Sequence, residues 1–112
     1  MTALTSVSIT NLGGTPAPVN VTATDTIAAT QFGSNGCILR VINQGGTVDN
    51  VTISDPSLTD LGNVGTPAVV AVPITTGIRM IFIPTLAINQ STQVATVNHT
   101  FITTVTCELY RI

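Results

Sequence analysis

Hydrophobic and polar residues alternate along most of this chain with the two-residue period of a β-strand, and no segment shows the 3.6-residue period of a helix. The clearest case is CILRVIN, Cys37–Asn43. Its alternation places Cys37, Leu39 and Val41 on one face and Ile38, Arg40 and Ile42 on the other. This segment is therefore predicted to be a strand with one buried face.

Seven other segments carry the same signal, and Gly, Pro, Asn and Ser are concentrated between them. They are Ser6–Thr10, Val19–Ala23, Val48–Ser54, Ala68–Pro73, Gly77–Pro84, Val94–Phe101 and Thr104–Ile112. About eight short strands separated by turn residues predict an all-β fold, a single antiparallel β-sandwich. We place the sandwich domain at 13–112, and we interpret 1–12 as either an extended N-terminal arm or a first strand.

Three local patterns between the strands predict specific backbone features. Asp25–Ala29 is the one stretch with a weak signal for a single helical turn. Asn35-Gly36 predicts a tight turn before the strand that follows. The glycines of Gln44–Gly46 predict a connection that uses positive φ angles.

The composition is unusual in its lack of charge. Charged residues make up 7% of the 112 residues, against about 25% in ordinary soluble domains. Hydrophobic residues are at 44%, so the missing charges are replaced by Thr, Ser, Asn, Gln and Gly. Hydroxyl and amide groups cost less to bury than ionic groups do. This composition favours a subunit of an assembly over a free monomer.

The few charges exclude several classes of function. The formal net charge is −2, and the only basic residues are Arg40, Arg79 and Arg111, on three separate segments. We therefore expect no binding to nucleic acid and no polybasic contact with a membrane. The opening sequence MTALTSVSIT lacks the basic and apolar regions of a signal peptide, which predicts synthesis in the cytosol.

Candidate catalytic and metal-binding residues are few. His99 is the only histidine and alternates with Val97 and Phe101, which favours a histidine on a strand face. Cys37 and Cys107 are predicted to be buried free thiols. We interpret Asp49, Asp55 and Asp60 as turn-capping residues rather than calcium ligands, and Glu108 stands alone on its strand. We predict no catalytic residue, no metal site and no cofactor.

The order of the pieces GCILRVINQGGTVDNVTIS, VVAVP, GIRMIFIP and TVTCELYRI resembles a family of small virion proteins. These proteins are encoded in the head gene clusters of tailed bacteriophages and are described as minor capsid, head decoration or cement proteins. The resemblance covers roughly residues 36–112. The positions that match are Leu39, Val41, Asn43, Gly45, Gly46, Val51, Ile53, Val72, Pro73, Arg79, Ile81, Val105, Thr106, Arg111 and Ile112.

The resemblance implies a structural, non-enzymatic protein on the capsid surface of a virion. It would bind the major capsid protein and itself, as a homotrimer, and would stabilise the contacts between capsid subunits. The candidate docking residues are Thr2, Leu4, Val7, Ile9, Ile38 and Ile42, together with the outer residues Thr52, Thr104 and Thr106.

Two other functions remain open on the sequence. One is a tail, fibre or glycan-binding sandwich of the virion, for which the available aromatic residues are Phe32, Phe82, Phe101 and Tyr110. The other is a bacterial surface adhesion module, which would require export.

Overall fold

The computed structural model of the chain describes residues 1–56, 61, 67 and 69–112 and has an all-β fold. Ten strands are formed: β1 Thr2–Ala3, β2 Ser6–Ser8, β3 Val19–Asn20, β4 Thr24–Ala28, β5 Cys37–Asn43, β6 Asp49–Ile53, β7 Val69–Val72, β8 Gly77–Ile83, β9 Val94–His99 and β10 Val105–Arg111. Short 3-10 helices lie at Ala29–Gln31 and Thr85–Ala87. Within these ranges, no helix has the length and apolarity needed to cross a membrane.

The strands form two packed sheets, as predicted for a β-sandwich. Sheet I has the order β1-β4-β9-β6-β7, and sheet II has the order β2-β10-β5-β8, with β3 also paired to β10. Both sheets are mixed, because β1 runs parallel to β4 and β2 runs parallel to β10. The predicted all-β sandwich is confirmed, and the described pairs are antiparallel apart from these two, which involve the short N-terminal strands. A strand of two residues such as β1 is too short to produce a readable alternation.

The core lies between the sheets and follows the alternation of the longer strands. On β5, Cys37, Leu39 and Val41 are fully buried, while the intervening residues are only partly covered. Strand β10 contributes Val105, Cys107 and Leu109. Sheet I contributes Ile27, Val51, Val72, Ala95 and Val97. Apolar burial on this scale is the main favourable term in the folding of a domain of this size.

The N-terminal residues are divided between the two sheets. Thr2 pairs with Asp25 in sheet I, and Ser6 pairs with Leu109 in sheet II. Leu4 lies between these pairs and is 4% exposed, with its N–H donating to the carbonyl of Thr26. Leu4 is therefore a core residue, and its assignment to a docking surface was wrong.

Two predicted local features are replaced by others. The residues Asp25–Ala29 form no helical turn, since Thr24–Ala28 is strand β4, with Asp25 and Ile27 buried on one face. The helical turn comes immediately afterwards, at Ala29–Gln31. Asp25 and Ile27 are two residues apart, which is the spacing of one face of a strand. The pattern was missed because a charged residue does not count as a hydrophobic position.

The glycines of the turns serve different purposes. Gly36 has a φ of 103°, as the turn at Asn35-Gly36 requires. Gly45 has no positive φ. It is needed for space, because a Cβ there would lie 2.5 Å from the Phe101 ring. The predicted positive φ angles at Gln44–Gly46 were therefore wrong.

Candidate docking surface

The outward-facing side chains of sheet II form a continuous surface on three neighbouring strands, β10, β5 and β8. The strand register aligns them in three rows. The rows are Tyr110–Ile38–Phe82, Glu108–Arg40–Met80 and Thr106–Ile42–Ile78, and Val7 of β2 extends the first row beyond Tyr110. We call this set the outer face of sheet II.

This face exists because three consecutive strands keep strict alternation in register. Cross-strand neighbours on one face of a sheet have their Cβ atoms about 4.5–5.5 Å apart, so aligned apolar residues make a continuous patch. Six of the ten residues on the face are apolar: Val7, Ile38, Ile42, Ile78, Met80 and Phe82. Only Arg40 and Glu108 are ionic, and they occupy the middle row.

The two ionic groups neutralise each other. The Arg40 guanidinium lies 2.5 Å from Oε1 of Glu108, and the Glu108 side chain is 5% exposed. The Tyr110 hydroxyl donates to the other oxygen of Glu108, and this hydrogen bond raises the pKa of Tyr110. Glu108 is the one carboxylate of β10, and its partners are a guanidinium and a hydroxyl. Two donors on the same face satisfy its carboxylate, and the face carries no net charge.

Solvent exposure on this face is concentrated at β8. Met80 is 63% exposed and Phe82 is 57% exposed. Within the described part of the chain, β8 pairs with β5 on one side and is the end strand of its sheet. A groove of about 390 Å³ opens beside Phe82 and is lined mainly by apolar residues, including Ile81, Val70 and Leu86.

The predicted docking residues do not share one surface. Val7, Ile38, Ile42 and Thr106 lie on the outer face of sheet II and are partly buried. The remaining residues lie elsewhere: Thr2 and Thr52 are on strands of sheet I, Ile9 is exposed beyond β2, Thr104 precedes β10 and Leu4 is in the core.

The prediction missed the most exposed part of this face, Ile78, Met80 and Phe82. The alternation of GIRMIFIP contains them, since Ile81 and Ile83 are the buried partners in the same strand. Which of the two sets faces out depends on the pairing of β8 with β5, and that pairing is between distant residues. The signal was therefore present in the sequence, but it required knowledge of the neighbouring strand.

A second group of polar side chains is enclosed in the core of sheet I. His99 on β9 lies between Asp49 and Asp25, at 2.7 Å from Oδ2 of Asp49 and 3.6 Å from Oδ2 of Asp25. All three side chains are 0% exposed. The interpretation of His99 as a histidine on a strand face is consistent with this position. The imidazole is thus enclosed by protein on all sides in the described structure.

Each carboxylate of this group accepts hydrogen bonds from the backbone N–H groups of other segments. Asp49 accepts from the N–H groups of Thr100 and Phe101 as well as from His99. Asp25 accepts from the N–H groups of Thr2 and Thr22. Asp49 is the first residue of β6, and it caps the turn after β9 instead of its own connection. Asp60 lies outside the described residues.

Metal and thiol chemistry can be assessed for the part of the chain that the structure describes. In these ranges no group of three or more His, Cys, Asp or Glu residues is arranged to hold a metal ion.

Cys37 and Cys107 are free and buried, as predicted. Burial raises the pKa of Cys107 to about 12 and also raises the pKa of Cys37, so both thiols are protonated and unreactive near neutral pH.

No protein family model matches this chain, and no curated protein or solved structure is significantly similar to it.

Proposed function

We propose that this chain is a structural virion protein that binds the outside of an assembled bacteriophage capsid. In this role it contacts the major capsid protein and stabilises the contacts between neighbouring capsid subunits. It acts as a homotrimer at the capsid surface and performs no enzymatic reaction. The likeness of the strand and turn sequences to head decoration proteins motivates this proposal.

The observation that carries the proposal is the outer face of sheet II. It presents Met80 and Phe82 to solvent beside an ion pair that is already neutralised, so no unpaired charge must be desolvated when a partner covers it. Contiguous exposed apolar patches on soluble proteins mark interaction sites. A face with these properties suits permanent contact with another protein better than permanent contact with water.

A homotrimer fits the size of this face. Strands lie about 4.8 Å apart and rise about 6.8 Å per two residues, so three rows on three strands cover on the order of 300 Å². This is less than the roughly 800 Å² per partner that a stable interface of standard size buries. A trimer presents three such patches to neighbouring capsid subunits at once. Linked weak contacts then gain affinity through effective concentration, and cyclic closure leaves fewer strand edges open to aggregation.

The direct test is binding to heads. Purified protein is mixed with expanded heads of the tailed phage that encodes it, and the pelleted heads are analysed for bound protein and for resistance to heating. We expect saturable binding at a copy number set by the capsid lattice, together with a higher temperature of head disruption. Absence of binding, or a few copies per particle, would contradict the proposal.

One arrangement favours a glycan-binding module of the virion as the second candidate. Phe82 and Tyr110 lie in the same row, one on each side of Ile38, and both present part of an aromatic ring outward. Aromatic rings on one face can stack on sugar rings. If the protein binds to a glycan array and does not bind to phage heads, this second function is favoured.

A further inference from the structure

We infer that the open edge of β8 is the part of the surface that engages the partner, and that it takes up an extended segment of a partner protein carrying a carboxylate. We call this site the β8 edge, and it consists of the backbone of Gly77–Ile83 with the side chains of Ile78, Arg79, Met80 and Phe82. The inference rests on the proposed function, because it specifies how the capsid-bound partner is recognised.

The backbone of β8 is available for pairing on one side. This strand has seven residues, and in the described ranges it is hydrogen-bonded to β5 on one side only. Its other side presents N–H and C=O groups that can template a further strand. Proteins usually blunt such an edge with Lys, Pro or a bulge, yet the prolines Pro73 and Pro84 lie outside β8, not within it. Among the described residues, no second strand pairs with this side of β8.

The side chains along this edge alternate in the way that a peptide-binding strand requires. Ile78, Met80 and Phe82 alternate on one face and are all exposed. When an extended peptide adds to a sheet edge, the main-chain hydrogen bonds supply affinity and alternate side chains supply specificity. The groove beside Phe82 gives one apolar side chain of such a peptide a place to bind. The β8 edge therefore offers both the main-chain hydrogen-bonding groups and the side-chain contacts that strand addition requires.

The β8 edge also carries a positive charge, the guanidinium of Arg79. Arg79 is exposed on the β8 edge, and its guanidinium donates to the carbonyl of the adjacent Ile78 at 3.0 Å. Glu108 is occupied by Arg40, while Asp25 and Asp49 are enclosed in sheet I. Arg79 lies on the face of β8 opposite to Ile78, Met80 and Phe82. A strand added at this edge would therefore place a carboxylate beside Arg79 on one face and apolar side chains beside Met80 and Phe82 on the other.

Charge also selects the occupant. Arg79 is the one ionic side chain of β8 itself, so a second copy of this strand would bring another arginine to the edge, and like charges across paired strands are destabilising. A partner segment with an acidic residue is attracted to the same position. Asp55 lines the adjoining groove, so the acidic residue of a partner belongs beside Arg79 and an apolar residue belongs in the groove. The β8 edge is therefore complementary to a different protein that is apolar and acidic.

The experiment compares two variants that change the net charge equally. Arg79→Gln removes the cation of the β8 edge, and Ser91→Glu adds an acid in the exposed connection between β8 and β9. Both lower the net charge by one. We expect Arg79→Gln to weaken binding to phage heads at least tenfold, and Ser91→Glu to stay within twofold of the unmodified protein. Arg79→Lys keeps the charge and should retain most of the affinity.

Two further readouts locate the contact. Hydrogen exchange of the Ile78–Ile83 amides should slow on binding to heads, and the unmodified protein should bind more weakly as salt is raised, with a smaller salt effect for Arg79→Gln. Equal binding of Arg79→Gln and the unmodified protein, with unprotected β8 amides, overturns the inference and leaves the proposed function standing. Protection of these amides in the free protein by self-association also overturns it. Failure of the unmodified protein to bind heads removes both.

Discussion

The Nδ1 atom of His99 lies 2.7 Å from Oδ2 of Asp49, and both side chains are completely shielded from solvent. The other ring nitrogen makes no hydrogen bond and lies 3.6 Å from Asp25. The imidazole therefore lies between the two buried carboxyl groups. Through these carboxylates it supports the start of β1 and the connection after β9.

Replacement of His99 by Ala should be severely destabilising. The change leaves a cavity in place of the ring and removes a hydrogen-bond partner from the buried Asp49 carboxylate, and the loss of a large buried side chain costs about 2–5 kcal/mol. Urea unfolding should show this loss in the free energy of unfolding. Thr96→Val on the outward face of the same strand should stay within about 0.5 kcal/mol of the unmodified protein. A loss below about 1 kcal/mol for His99→Ala would mean that the cluster contributes little.

The Arg40–Glu108 pair should respond differently to single and double substitution. Arg40→Met leaves the buried Glu108 carboxylate without its cation and should cost about 2–4 kcal/mol. Replacing both residues, as in Arg40→Met with Glu108→Leu, removes the uncompensated charge and should recover most of that loss. Denaturant unfolding of the two single variants and the double variant measures the coupling. If the double variant is as unstable as the sum of the singles, the residues act independently.

The raised pKa of Cys107 predicts a loss of stability at alkaline pH. The unfolded thiol gives up its proton near its ordinary pKa of 9.0, whereas the folded protein retains it to about 12. Rising pH therefore favours the unfolded state across this window, by about 1.4 kcal/mol per pH unit for one such group. Cys107→Ala should give a shallower decline above pH 9, measured by unfolding at several pH values. In the folded protein, both cysteines should react with a thiol reagent at pH 8 only as fast as the protein opens.

Gly36 and Gly46 should differ sharply when each is changed to Ala. Gly36 has a φ of 103°, and an added Cβ would lie 2.5 Å from the carbonyl oxygen of Ile83. Gly46 has no atom within 4 Å of that position. We expect Gly36→Ala to lower the free energy of unfolding by about 2 kcal/mol or more, and Gly46→Ala to have little effect. Comparable thermal stability of the two variants would contradict this account of the turn.

The sequence predicted the longer strands well because their burial alternates in a pattern that local reading detects. The predicted segment Cys37–Asn43 is β5 residue for residue, and the predicted Gly77–Pro84 exceeds β8 by one residue. The two-residue strand β1 carries no such pattern, whereas β2 lies within the predicted segment Ser6–Thr10. Leu4 was therefore assigned to the surface, although it is buried where the chain passes from one sheet to the other.

The polar contacts were not predictable in the same way, because they join residues far apart in sequence. Asp49 and His99 meet only when β6 pairs with β9, and Arg40 meets Glu108 only when β5 pairs with β10. Each residue alone fits several environments. The side chains of the β8 edge had the same limitation, since alternation shows two faces but not which one the neighbouring sheet covers.

Strand β10 pairs with β5 on one side and with β2 and β3 on the other. This arrangement affects the rate of folding. Ser6–Ser8 cannot find their partners until Leu109–Arg111 are in place, so nearly the whole chain must be brought together before these contacts form. Closing such long loops early is entropically unfavourable, and proteins dominated by distant contacts fold in milliseconds to seconds. We therefore expect slow folding, with the amides of β2 and β3 acquiring protection together with those of β10 in a single late phase of pulse-labelling exchange.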